Sequence, residues 1–189
     1  MNTLFMCMDI SELFSTPEKE RVLRRLLYAS GESGLRQTAR LARVSPGQVH
    51  KYFSILRKRK LLEGRKLADS ALVKALRLTE NVAYLEKLGV VGLIRSKLSG
   101  VKGIGLYGSW SKGTNGENAD VDLWVVVQKE PSDLTVAKTR RVLEEELSKK
   151  VELTILTPER TAKLRVSNPA FYSSLFNSIK LFGEEIWSI

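Results

Sequence analysis

Asp120 and Asp122, one residue apart, stand at the head of the apolar run Leu123-Trp124-Val125-Val126-Val127. Residues two apart on a strand share a face, so the two carboxylates project side by side. Like charges held that close repel each other until a cation neutralises them. A hard divalent ion that takes oxygen ligands, Mg²⁺ above all, is the matching occupant. Upstream runs Gly108-Ser109-Trp110-Ser111-Lys112-Gly113, whose tight Gly-Ser turn offers backbone N–H groups to a phosphate. Together the two features read as a metal–nucleotide site. Asp-x-Asp also occurs at ordinary turn-to-strand junctions, where Asp caps backbone groups. That reading leaves the Gly-Ser turn unexplained.

Gly-Ser-x-x-x-Gly, a variable loop and then Asp-x-Asp resemble the signature of the nucleotidyltransferase superfamily, its small minimal members most of all. Ser109 and Asp120 are eleven positions apart, which matches the family spacing. Lys112 and Gly113 fit the family's basic position and second glycine, whereas Ala119 stands where Ser is frequent. The resemblance runs from about residue 80 to the C-terminus. It implies two-metal nucleotidyl transfer, in which one Mg²⁺ activates the attacking oxygen and the other clamps the triphosphate. An NTP, ATP first, would give its NMP to an acceptor hydroxyl. Asp120 and Asp122 would hold both ions, while Gly108, Ser109 and Lys112 would hold the triphosphate. The family adds a third carboxylate on a neighbouring strand. Glu152 is the candidate, because Val151, Leu153 and Ile155 alternate with Glu152 and Thr154; the resemblance would have it complete one metal site and help deprotonate the acceptor. Its bland alternative is a solvated charge. Lys112 is open between a phosphate contact and a solvated loop lysine, and Trp110 and Trp124 are assigned to packing.

The chain has 189 residues, 43% hydrophobic and 28% charged, as suits a soluble globular protein of one large or two small domains. No apolar run is long enough to cross a bilayer. Asp9 and Glu12 without a basic leader argue against a secretory signal. A single cysteine, Cys7, excludes an intramolecular disulfide and a cysteine zinc site, and suits a cytoplasmic setting. His50 is the single histidine and has no partner in view for Ser-His-Asp or Cys-His catalysis.

The net charge of +10 is unevenly spread. Residues 1–100 hold 19 Lys/Arg against 9 Asp/Glu, and residues 101–189 hold 12 of each. The excess points to an anionic partner for the N-terminal half, nucleic acid first. Pro17–Tyr28 carries Val22, Leu23, Leu26 and Leu27 at helical spacing. Leu35–Arg43 makes a second helix with Leu35, Ala39 and Ala42 inward. Ser45-Pro46-Gly47-Gln48 opens a third through a capping box, with Val49, Phe53 and Leu56 buried. The order resembles a winged helix-turn-helix, with a wing drawn from Leu61 to Leu78. Leu72, Val73, Leu76 and Leu78 would then lie on its returning segment, although they also fit a helix.

In such a module the third helix enters the major groove. Gln48, His50, Lys51 and Ser54 would be the outward positions, Gln48 suited to adenine edges and Lys51 to guanine or phosphate, while Arg57 and Lys58 would face phosphates. The alternative is a module for dimerisation or for packing on its neighbour. Beyond it, Glu80–Leu98 reads as helix interrupted by Gly89 and Gly92, and Gly103–Tyr107 as the strand feeding the turn. Asp133–Ser148 reads as a helix with Leu134, Ala137, Leu143 and Leu147 on its apolar side. Pro158–Ile189 is expected to hold one or two helices, with Phe171, Leu175, Ile179, Leu181 and Phe182 in the core.

The expected architecture is α/β (α+β): a winged-helix domain over residues 1–78 and a small mixed-sheet nucleotidyltransferase domain over residues 79–189. The expected partners are a nucleotide, nucleic acid, and a partner protein of the kind antitoxin-like relatives use, or a second copy in a homodimer; no membrane is expected. The competing reading is a DNA-binding transcriptional regulator whose nucleotidyltransferase fold only senses nucleotide or holds a partner.

Overall fold

The structure, a computed structural model, describes residues 10–29 and 31–186; Cys7 and Asp9 lie outside them. Two compact units divide at Val73/Lys74. That point precedes the boundary expected at 78/79.

In the first unit a 3-10 helix, Ile10–Phe14, leads to α1 (Pro17–Leu27), α2 (Leu35–Ala42) and α3 (Pro46–Lys58), and then to two short antiparallel strands, β1 (Leu62–Glu63) and β2 (Lys66–Leu67). Thr16 starts α1 by accepting from the Lys19 N–H, and Pro17 takes the first helical position, where its missing donor costs nothing. Ser45 Oγ accepts from the Gln48 N–H while Gln48 Oε1 accepts from the Ser45 N–H, so the capping box of α3 is complete. Val49, Tyr52, Phe53 and Leu56 form its buried stripe, and the Tyr52 hydroxyl donates to the Leu13 carbonyl at 2.9 Å. On α2, Thr38, Ala39 and Ala42 face inward, and Leu35 is only half-buried.

The returning segment is shorter than the wing drawn from the sequence. β2 ends at Leu67, and Leu72, Val73, Leu76 and Leu78 belong to α4 (Ala71–Lys87). Ser70 Oγ accepts from the Val73 N–H, and Val73 and Leu76, three apart, share a buried face. Periodicity there favours helix.

The second unit continues α4 from Lys74. Gly89 separates it from α5 (Val90–Lys97), which splits the stretch read as Glu80–Leu98. There follow β3 (Val101–Tyr107), the single turn α6 (Gly108–Ser111), β4 (Val121–Val127), α7 (Asp133–Leu147), β5 (Val151–Leu156), α8 (Pro158–Ser167), α9 (Pro169–Leu175) and β6 (Ile179–Gly183). The sheet is mixed, in the order β5-β4-β3-β6, with β4 and β5 parallel and the other neighbours antiparallel.

Central β4 is covered on both sides, which explains its nearly unbroken apolar run. Val121, Leu123, Val125 and Val127 meet Leu85, Ile94, Leu143 and Leu147 on one face. Trp124 and Val126 meet Tyr107, Leu156, Leu175 and Ile186 on the other. Trp110 and Trp124 are both core residues.

Two expected core assignments fail. Leu134 is 64% exposed and Ala137 is exposed; α7 turns Thr139, Leu143 and Leu147 inward instead. Thr139 tolerates burial because its hydroxyl donates to the Thr135 carbonyl at 2.8 Å. Ile179–Phe182 lie in a strand rather than a helix, since pairing with β3 decides a run too short for periodicity to settle. Among the described residues no helix is long and apolar enough to cross a membrane.

The capping box makes a direct prediction. Ser45→Ala should lower the unfolding free energy by about 1 kcal/mol in a denaturant titration. An unchanged midpoint would mean that packing alone starts α3.

Candidate active site

Sheet register assembles the acidic group. Asp122 is the second residue of β4, and its Cα partners are Tyr107 on β3 and Glu152 on β5. Directly opposed residues project to one face, so Tyr107, Asp122 and Glu152 stand in a row across three strands. They sit on the face built over Trp124, at its open end. Asp122 is the one polar position in β4 and is half-buried, while Asp120 and Glu152 are exposed.

Gly108 brings the turn to this row. Its φ is +70°, and a Cβ there would run into the Asp122 carboxylate. Both facts require glycine. The Gly-Ser turn therefore lies directly against the aspartate, with Ser109 half-buried and Lys112 exposed. A polar cleft of about 380 Å³ opens beside Asp120, between the loops that feed β4 and β5, with Lys149 and Lys150 on its wall.

Among the three carboxylates, electrostatics mark Asp122. Burial first, then the charges of Glu152 and Asp120, push its carboxyl up from 3.8 to about 6. The Tyr107 hydroxyl lies 3.0 Å from Thr154 Oγ1, and burial raises the phenol well above its ordinary value. The donor set is all carboxylate oxygen and its charges are mutually unfavourable, which fits a hard dication. Among the described residues, no three acidic, histidine or cysteine side chains are already gathered into a metal-binding group.

The candidate nucleic-acid residues all lie on α3. Gln48, His50, Lys51, Arg57 and Lys58 are exposed, and Ser54 is half-buried. Several have local partners. Gln48 Oε1 is taken by the cap, Ser54 Oγ donates to the His50 carbonyl at 3.1 Å, and Arg57 Nη2 donates to the Gly64 carbonyl at 3.1 Å.

The nucleotidyltransferase domain family matches residues 91–178. That match spans just under half of the chain. The matched segment contains the Gly-Ser turn and all three carboxylates; it stops just before β6. No curated protein matches the chain. Solved structures with similar parts include a mutant MntA–HpeT toxin–antitoxin complex (20% identity, 51% of this chain and 72% of that one, TM-score 0.43). A toxin–antitoxin with AMP-PNP is similar at 22% identity, over 55% and 74% of the two chains, with a TM-score of 0.42. So is the complex of a tri-AMPylated Shewanella oneidensis HEPN toxin with its MNT antitoxin, at 18% identity, over 57% and 73%, with a TM-score of 0.40.

Two features of the second unit escaped the sequence reading. Tyr107 faces Asp122 through strand register, which the Tyr-Gly-Ser end of the β3 strand hints at without proving. Asn81 is a buried side chain within α4 that reaches the Trp110 carbonyl. Asn is a poor helix former, so its presence mid-helix was the available signal.

The raised Asp122 carboxyl has a sign that can be measured. The folded chain holds a proton on Asp122 between pH 3.8 and about 6 that the unfolded chain releases. Its contribution to stability is therefore full below that window and lost as pH rises through about 6. Asp122→Asn should raise the melting temperature of the metal-free protein at pH 7 by about 2–4 °C, equivalent to about 1 kcal/mol after discounting for solvent screening. The difference should vanish by pH 4. A lower melting temperature for the variant at pH 7 would show the carboxylate to be stabilising there.

Proposed function

We propose that the C-terminal domain catalyses Mg²⁺-dependent transfer of a nucleoside monophosphate from an NTP, ATP first, to a hydroxyl on a protein, RNA or small molecule. One observation carries the reading. The Gly-Ser turn and the Asp122–Glu152 register pair meet at one end of the sheet, inside the segment that matches the family.

Asp120 and Asp122 are the residues suited to hold the dication. Bound there, Mg²⁺ supplies positive charge against the triphosphate. The Ser109 hydroxyl and the N–H groups of its turn bind phosphate oxygens, with Lys112 adding charge from the loop. The acceptor oxygen attacks the α-phosphorus, the bond to the bridging oxygen breaks, and pyrophosphate leaves. Glu152, exposed at the mouth, takes the acceptor proton. The cleft beside Asp120 leaves room for the acceptor.

The N-terminal unit is proposed to bind nucleic acid in the manner of a winged helix. Residues 1–73 hold 14 Lys/Arg and 7 Asp/Glu, so the surplus persists within the compact unit itself. Lys51 and Lys58 are exposed along α3.

Transfer of label from ATP with Mg²⁺ in a cell extract tests the enzyme. Asp120→Asn combined with Asp122→Asn should remove the label and leave the circular dichroism spectrum unchanged; undiminished turnover would refute the assignment. Binding to duplex DNA should weaken steeply with salt. Lys51→Ala with Lys58→Ala should lower the salt slope by about two, and an unaltered slope would place the nucleic-acid surface elsewhere.

A further inference from the structure

The turn that carries Ser109 is fastened at several points outside the sheet: Ser111 Oγ donates to the Asn177 carbonyl at 3.4 Å and Lys149 lies over the Trp110 ring, but the largest set of fastenings comes from one helix. Lys74, Arg77, Asn81 and Tyr84 of α4 are spaced i, i+3, i+7 and i+10, which places them on one face. Each meets the segment from Trp110 to Asn115. The Lys74 carbonyl packs so close to Gly113, whose φ is +63°, that a Cβ there would collide with it. Arg77 Nη1 donates to the Gly113 carbonyl at 2.6 Å. Asn81 Nδ2 donates to the Trp110 carbonyl at 2.9 Å and to Asn115 Oδ1 at 2.8 Å, and Asn115 Nδ2 returns a bond to Asn81 Oδ1 at 3.3 Å. The Tyr84 ring lies 6.4 Å from that of Trp110.

Asn81 and Asn115 are 0% and 3% exposed. A buried amide pair is expensive unless its polar atoms are satisfied, and this one spends a donor on a main-chain carbonyl of the Gly-Ser turn. The Trp110 peptide is part of α6, so what fixes its carbonyl also fixes the direction of the neighbouring N–H groups.

We propose that α4 is a clamp which sets the geometry of the phosphate-binding turn, with Asn81 as the positioning residue. Asn81 touches no substrate. It acts through the Trp110 carbonyl on the Ser109 turn, and Arg77 acts through Gly113 on the loop behind it. The kinetic part of this inference rests on the nucleotidyl-transfer reading above; the structural part does not.

The full-length protein is compared with Asn81→Leu, which keeps the branched skeleton and removes both N–H donors, and with Arg77→Met, a half-buried site where folding is less at stake. Two readouts separate the questions. Amide hydrogen exchange over residues 108–115 should speed up at least about tenfold in each variant, with the β4 and β5 amides unchanged. KM for ATP with Mg²⁺ should rise about tenfold in Asn81→Leu while kcat falls less than about threefold. Slow, wild-type exchange over residues 108–115 in both folded variants would overturn the clamp. So would a loss confined to kcat with KM unchanged. If Asn81→Leu does not fold, the exchange pattern of Arg77→Met decides alone. If the wild-type protein neither binds nor transfers nucleotide, the functional reading fails while the exchange result still judges the clamp.

Discussion

One ionisable position inside an otherwise apolar strand, Asp122, is the constraint around which the C-terminal unit is arranged. β4 is apolar on both faces because it is the middle layer of the unit, and the exception is Asp122. Its neighbours in register place Glu152 on one side and Tyr107 on the other. Desolvation and like charge both work against the ionised form there. The cost is local, because the rest of the sheet is packed hydrocarbon.

The turn and the strand are solved together. Gly108 can approach Asp122 because it lacks a side chain, and its positive φ lets β3 break into α6 at that point. Chain direction then carries the loop away and back to Asp120 within a dozen residues. Buried Asn81 and Asn115 tie the far side of this loop to α4. The site is thereby held by main-chain hydrogen bonds on two sides and by tight packing below.

Legibility in the sequence followed the strength of local signals. The α3 capping box, the β3 strand before Gly108 and the β4 strand after Asp120 were all readable, because each combines a distinctive residue with a clear period. Glu152 was readable from alternation once the aspartates had been noticed. Three places resisted. Leu72–Leu78 suits a strand or a helix, and the Ser70 start signal was overlooked. Ile179–Phe182 becomes strand only because β3 offers an edge, a tertiary fact. Leu134 and Ala137 looked inward on a helical wheel, but the orientation of α7 is fixed by Leu143 and Leu147 against the sheet. Tyr107 and Asn81 belong to the same class: their partners are distant in sequence, so only the assembled sheet and helix reveal them.

The strand order has one more outcome. β5 and β6 are the two borders of the four-stranded sheet, and among the described residues no strand pairs with their outer sides. Such borders invite another chain to add on. Lys180 stands on β6 and Glu152 on β5, both with charged side chains out in water. Each border of the sheet therefore carries a charged side chain, the feature that discourages a further strand from adding on.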